Sequence, residues 1–302
     1  MITIIGSPNP AVFEAKQETA TERADASFKF ICEYILKYGS WDKSPRPKWE
    51  DGTPAYAKSV NHVTQVFNLS EGDFPLLSLR PIAVKKSIGE ILWIYKDQST
   101  SLEKLAKKYN VTWWDKWDIG NGSIGQCYGK TVRDHKITDK VIKSLKEDPD
   151  SRRHIINLYQ YDDFEQKHGL KPCALYSQYS VRHEKNGDYL DAFLLLRSSD
   201  YVVAGAINQA QYIALMMMFA QICNLKLGVF TCELINCQIY DRHHGGVTEM
   251  LARTSVPGNP YIELNPDVND FYKFGIKDFK IRDYPREEIM IQNPKIEFEV
   301  AI

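Results

Sequence analysis

The 302-residue chain is 43% hydrophobic and 25% charged, with a formal net charge of −1 at pH 7. These are the proportions of an enzyme-sized globular protein, and the even charge argues against nucleic acid as a partner, since its binders carry a basic excess. No apolar run approaches the roughly 20 residues that span a bilayer, and "MITIIGSPNP" lacks the basic and apolar regions of a secretion signal, so a cytoplasmic protein with no membrane partner is expected.

The first 25 residues combine a short apolar run, an "SPNP" break and a charged stretch. They read as an edge strand and turn. "ASFKFICEYILKY", residues 26–38, has apolar residues at about 3.6-residue spacing and predicts a first helix with Gly39 as its C-cap. A loop rich in Pro, Lys and Trp follows, and then "VNHVTQVFNL", which alternates like a strand. "VKKSIGEILWIYKD" and "TDKVIKSLKED" read as helices, and "RRHIINLYQY", "ALYSQYSVRH" and "YLDAFLLLRSSD" as strands. "INQAQYIALMMMFAQICNLKLG" reads as an apolar helix closed by Gly228, with "VFTCELINCQIY" and "KIEFEVAI" as further strands. Helices interleaved with strands, and hairpin-like pairs in the second half, predict an α+β fold built on one mixed sheet.

Six cysteines, Cys32, Cys127, Cys173, Cys223, Cys232 and Cys237, show no C-x-x-C spacing and predict free thiols in a reducing compartment. Cys232 and Cys237 lie near His243 and His244, but their spacing fits no closed tetrahedral set, so no metal is expected.

The polar residues among these elements each carry two readings. Cys173, directly after Pro172, is either inert core or a nucleophile held at the start of a strand, with Arg197 as the positive charge that activates it. Glu90, in the apolar "GEILWIY", is a buried acid suited to proton transfer, or part of a Ser87–Glu90 capping box. Asn208 is the N-cap of the apolar helix, or an amide that offers donor and acceptor together to a lactam edge. Arg152 and Arg153 are solvated surface, or with Arg46 and Arg197 a phosphate clamp, because guanidinium forks match phosphate. Trp114 and Trp117 are core, or a stacking wall for a flat heterocycle.

The order of motifs is more specific than any of them singly. "RPKWEDGTP", "KKSIGEILWIY", "WWDKWDIGNGSIGQCYGK", "DPDSRRHIINLY", "KPCALYSQY", "LRSSD", the "IN" of the apolar helix, "CQIYDRHH" and "VAI" follow one another along the chain. Over roughly residues 27–302 the sequence resembles the thymidylate synthase family. The "DGTP", "WDKW" and "LNPDVNDFY" pieces look closest to a bacterial and phage-encoded subgroup.

The resemblance implies one catalytic domain over residues 26–302 behind an N-terminal extension, and a homodimer packed through its sheets. It implies reductive methylation of dUMP to dTMP, with 5,10-methylenetetrahydrofolate as one-carbon and hydride donor, dihydrofolate as by-product and no metal. Cys173 would attack C6 of the pyrimidine, while Glu90, with Tyr128, would organise the proton relay. Arg46, Arg197 and Ser198 would hold the 5′-phosphate, joined by Arg152 and Arg153 of the partner. Asn208 would read N3 and O4, Gln238 and Tyr240 would meet the sugar, and Asp200 would serve nucleotide and folate. Trp114, Trp117 and Ile302 would border the folate.

Several positions depart from the family pattern. Gln238 and Ala174 stand where histidine is usual, and Leu196 where glutamine is usual. In "VVAGAIN", Ala204, Ala206 and Ile207 replace a glycine, a proline and a phenylalanine. A remodelled folate wall keeps a sister reaction in view, pyrimidine nucleotide 5-hydroxymethylation, in which water captures the methylene intermediate. A non-catalytic nucleotide- or RNA-binding relative and a zinc-dependent deaminase are the readings from other classes.

Overall fold

Residues 226–240 form the longest strand, and every one of them after Lys226 is buried or half-buried, which places the strand in mid-sheet. The computed structural model describes residues 1–164 and 170–302. Its first half comprises β1 (Ile2–Gly6), β2 (Ala11–Phe13), α1 (Ala20–Tyr38), β3 (Ser40–Trp41), β4 (Ala57–Asn68), α2 (Val84–Ile91), α3 (Leu102–Tyr109), α4 (Gly129–Asp134) and α5 (Ile137–Glu147). The second half comprises β5 (Ile155–Asn157), β6 (Ala174–Glu184), β7 (Gly187–Leu196), β8 (Ser199–Asp200), α6 (Tyr201–Ile222) and β9 (Lys226–Tyr240). It closes with α7 (His244–Ala252), β10 (Tyr261–Leu264), β11 (Phe279–Arg282) and α8 (Arg286–Gln292).

Among the described residues, nine strands make one mixed sheet in the order β2-β1-β4-β9-β7-β6-β5, with β3 on β4 and β8 on β9. The ladders are antiparallel except where β9 runs parallel to β7 and β8. A parallel pair needs a crossover, and α6 supplies it. This helix is apolar all round and correspondingly buried. α1 and α6 pack on the sheet, and α2 packs against α6. The expected α+β architecture is what the chain adopts.

Several expected boundaries shift, each for a local reason. α1 starts at Ala20, because Thr19 caps it and Glu22 completes a capping box; Gly39 closes it as expected. α6 starts well before Asn208, at the Asp200 cap, whose carboxylate accepts the Val203 N–H at 3.4 Å. Asn208 is therefore inside the helix and not its N-cap. The helix ends at Ile222, and Gly228 lies within β9. Ser87 does not cap Glu90 either: its hydroxyl donates to the Ala83 carbonyl one turn back. Residues 295–302 form no strand, although Ile302 and Lys48 exchange both backbone hydrogen bonds. Against expectation, α6 is by length and composition apolar enough to cross a membrane, with mean hydropathy 1.4 over its best window; 78% of that window is buried in the fold.

Candidate active site

The β6–β7 pairing brings the thiol and the first cation together. Ala174 faces Leu196 in the ladder, so the residue before β6, Cys173, meets the residue after β7, Arg197. The Arg197 N–H donates to the Cys173 carbonyl at 2.9 Å. Its guanidinium donates to the carbonyls of Pro172 and Lys171, each at 2.9 Å, and so is fixed beside the thiol. The Cys173 N–H donates to the Tyr128 hydroxyl at 3.0 Å. Tyr128 holds that position from a strained backbone, φ 44° and ψ −108°, of the kind found at functional sites. The next residue has to be glycine, since a Cβ at Gly129 would stand 2.2 Å from the Ser99 carbonyl oxygen.

Cys173 opens into a cavity of about 630 Å³, well within the range of small-molecule sites. Arg46, Glu90, Trp114, Trp117, Tyr128, Arg197, Ser198, Asp200, Asn208, Gln238, Tyr240 and Ile302 share its lining. Arg152 and Arg153 do not; both are exposed on the loop before β5.

Electrostatics distinguish the residues within it. Burial raises the Cys173 pKa, and the Arg197 and Arg46 guanidiniums offset this only in part. The expected activation by Arg197 is thus present but outweighed in the free protein, because desolvation of a thiolate costs more than two cations at this range return. Glu90 is 6% exposed. Burial raises its pKa as well, and the neighbouring indoles and Gln211 pull it partly back.

The Glu90 contact is where sequence reasoning missed a residue. Trp113, the other half of "WWDKWD", donates its indole N–H to Glu90 Oε2, while Trp114 packs on Trp93, Trp117 and Tyr128 with ring centroids 6.2, 5.6 and 5.4 Å away. The doubled tryptophan was the available signal. Gln211 was missed too: its Oε1 accepts from Asn208 Nδ2 at 3.0 Å, three residues along α6 on the same face.

Elsewhere in the lining, Gln238 Nε2 donates to the Tyr240 hydroxyl at 3.1 Å, and burial pushes the Tyr240 pKa up to about 12. Of the departures in "VVAGAIN", Ala204 and Ile207 line the cavity together with Val203, whereas Ala206 turns inward and is buried. The segment before Ile302 is strapped down by His243, whose Nε2 bonds the Glu299 carbonyl at 2.7 Å, and by Arg242, which pairs with Glu299 at 2.9 Å and Asp51 at 2.6 Å. Cys232 and Cys237 are buried in β9. Among the described residues no group of three or more His, Cys, Asp or Glu is placed to hold a metal.

Comparison with known proteins agrees with this geometry. Residues 26–302 match the family model described as thymidylate synthase. The chain is 41% identical over 281 residues to a thymidylate synthase of Lactococcus lactis subsp. cremoris, covering 92% of this chain and 99% of that protein. It is 42% identical over 282 residues to one from Streptococcus pneumoniae, covering 93% and 99%. The fold superposes on thermostable thymidylate synthase A from Bacillus subtilis with a TM-score of 0.81 at 31% identity, covering 92% of this chain and 99% of that one. The chain belongs to the thymidylate synthase family.

Proposed function

We propose that this enzyme converts dUMP to dTMP by reductive methylation, taking both the one-carbon unit and the hydride from 5,10-methylenetetrahydrofolate and releasing dihydrofolate. The observation that carries the reading is the Cys173 thiol held in one cavity with two guanidiniums, a buried carboxyl and an indole wall. Addition to a pyrimidine ring needs that combination: a thiolate to attack C6, and fixed donors where charge develops. Because the free thiol is held protonated, attack requires loss of its proton once the nucleotide is in place.

Arg46, Arg197 and Ser198 take the 5′-phosphate, and the Asn208 carboxamide takes N3–H and O4. Gln238 and Tyr240, already bonded to each other, meet the deoxyribose. Glu90, whose pKa burial raises, carries the protons, and Tyr128 fixes the backbone of the nucleophile. Asp200, Trp114, Trp117 and Ile302 receive the folate, and no metal takes part.

Arg152 and Arg153 serve the phosphate of the partner subunit in a homodimer packed through the sheets. Their exposure away from the cavity supports this. So does the half-burial of Val229, Thr231 and Glu233, on the β9 face turned away from the buried side. Residues 26–302 are the catalytic unit, with residues 1–25 adding the β1–β2 hairpin at the sheet edge. Six free cysteines accord with the cytoplasm.

The deciding experiment is the mass of the nucleotide formed from dUMP and methylenetetrahydrofolate. A methyl group on the product is the expected result. A hydroxymethyl group would mean that the wall of Val203, Ala204 and Ile207 admits water and would move the assignment to the hydroxymethylase. Unchanged dUMP would remove the synthase and leave the hydroxymethylase only with dCMP or CMP as its substrate, to be tried next.

A further inference from the structure

We propose that Gln211 is a positioning residue that sets which pyrimidine edge Asn208 presents, by linking the Asn208 carboxamide to the Glu90 carboxyl. The inference rests on the dUMP reading above. Gln211 is 2% exposed and lines the cavity. Its Oε1 accepts from Asn208 Nδ2, and its Nε2 has no hydrogen-bond partner among the described residues. Gln211 pulls the Glu90 pKa down against the effect of burial, as a side-chain donor beside a carboxylate does. A buried amide nitrogen left unpaired is costly, and a small contraction onto Glu90 satisfies it.

The bonds then run in one direction. Gln211 Nε2 donates to Glu90, and Asn208 Nδ2 donates to Gln211 Oε1. Asn208 is left with Oδ1 and one N–H for the ligand, in fixed places. Uracil offers N3–H and O4 and matches; cytosine offers a bare N3 and an amine and does not. Turning the Asn208 amide alone would set Oδ1 against Gln211 Oε1. Turning both amides would set Oε1 against the Glu90 carboxylate. An ionised Glu90 therefore disfavours the cytosine-reading arrangement at both joints, whereas a protonated one can donate to Oε1 and permit it. Of the other titratable groups that line the cavity, the Tyr128, Tyr212 and Tyr240 hydroxyls and the Cys173 thiol are kept toward their neutral forms by burial, and the charged side chains of Asp42, Asp200, Arg46 and Arg197 line it as well.

The test compares dissociation constants for dUMP and dCMP, by calorimetry, in the wild type, Gln211→Leu and Gln211→Glu, together with the pH profile of kcat/KM for dUMP. Gln211→Leu is expected to lose roughly tenfold in preference for dUMP over dCMP, the scale of one hydrogen bond. Gln211→Glu keeps the acceptor for Asn208 and so keeps the preference, but it sets a second carboxyl beside Glu90 and moves the limb that reports Glu90 to higher pH. A merely structural role would weaken both nucleotides together and leave that limb in place. An unaltered dUMP preference in Gln211→Leu, or an unmoved limb in Gln211→Glu, overturns the assignment, and the second variant decides if the first does not fold. A wild type that prefers dUMP no more than dCMP would remove the underlying dUMP reading, and this one with it.

Discussion

Replacing Trp113 with Phe removes one indole N–H and leaves most of the ring. Its partner, Glu90, is 6% exposed, and burial holds its pKa above the ordinary carboxylate value. The sign follows from linkage. A folded-state pKa above the unfolded one means the native protein keeps a proton that the unfolded chain releases, so stability falls as pH rises from the unfolded pKa through the folded one. A hydrogen bond to an ionised group is worth about 1.5–3 kcal/mol and one to a neutral group about 1 kcal/mol. Trp113→Phe should therefore cost roughly 0.5–2 kcal/mol more above that window than below it. The packing loss is common to both sides and cancels. Urea unfolding of both proteins at a pH on each side, at one fixed protein concentration because a dimer is expected, gives the difference directly. The kcat/KM profile should show the limb that reports Glu90 moving to higher pH. Equal destabilisation on both sides, with the limb unmoved, would mean that the indole does not sense the charge on Glu90 and would refute the reasoning.

Tyr128→Phe strands the Cys173 N–H, at a cost of about 1–3 kcal/mol; steady-state kinetics should show kcat down by tenfold or more with KM for dUMP little changed, and the reverse split would assign Tyr128 to nucleotide binding. For His243, burial opposes charge, but the Asp200 carboxylate at 3.6 Å and the Glu299 carbonyl outweigh it and leave the pKa raised. The stability this gives is fully present below the unfolded pKa and is lost as pH rises through the folded pKa. Hydrogen exchange in residues 296–302, corrected for its intrinsic pH dependence, should quicken across that window in the wild type and show no such step in His243→Phe. Mixing inactive Cys173→Ser with inactive Arg152→Ala protein should restore activity, because one site of the hybrid dimer carries both residues intact; hybrids that form and stay inactive would place Arg152 outside the partner's site.

The fold was legible where a motif and a periodicity agreed. "VNHVTQVFNL" alternates and is a strand, and "ALYSQYSVRH" and "YLDAFLLLRSSD" pair as β6 and β7. Helix ends were less legible. "YVVAGA" has no helical polarity pattern, because α6 is buried on every side; its start is marked by the Asp200 cap and not by Asn208. "KIEFEVAI" alternates like a strand, yet it is held by a strap of side chains and by Lys48 in place of a ladder. The cavity residues singled out from the sequence were legible because each belonged to a motif. Trp113 and Gln211 were not, because what singles them out is a hydrogen bond, to a residue distant in the chain for Trp113 and to one a helix turn away for Gln211.

The parallel pairing of β7 with β9 bears on the order in which the protein folds. β6 and β7 are consecutive and pair as a hairpin, so Cys173 and Arg197 can meet early through local contacts. β9 cannot join β7 until the whole of α6 has been laid across the sheet, and non-local pairings of this kind are slow. Asp200, Asn208 and Gln211 all belong to that crossover. Completing the sheet and acquiring the proposed base reader are thus one kinetic event, and on that proposal an arrested chain would carry the thiol and its cation but no means of choosing a pyrimidine. In a refolding time course, Cys173 should pass through a phase of open reactivity toward thiol reagents that closes at the moment nucleotide binding appears.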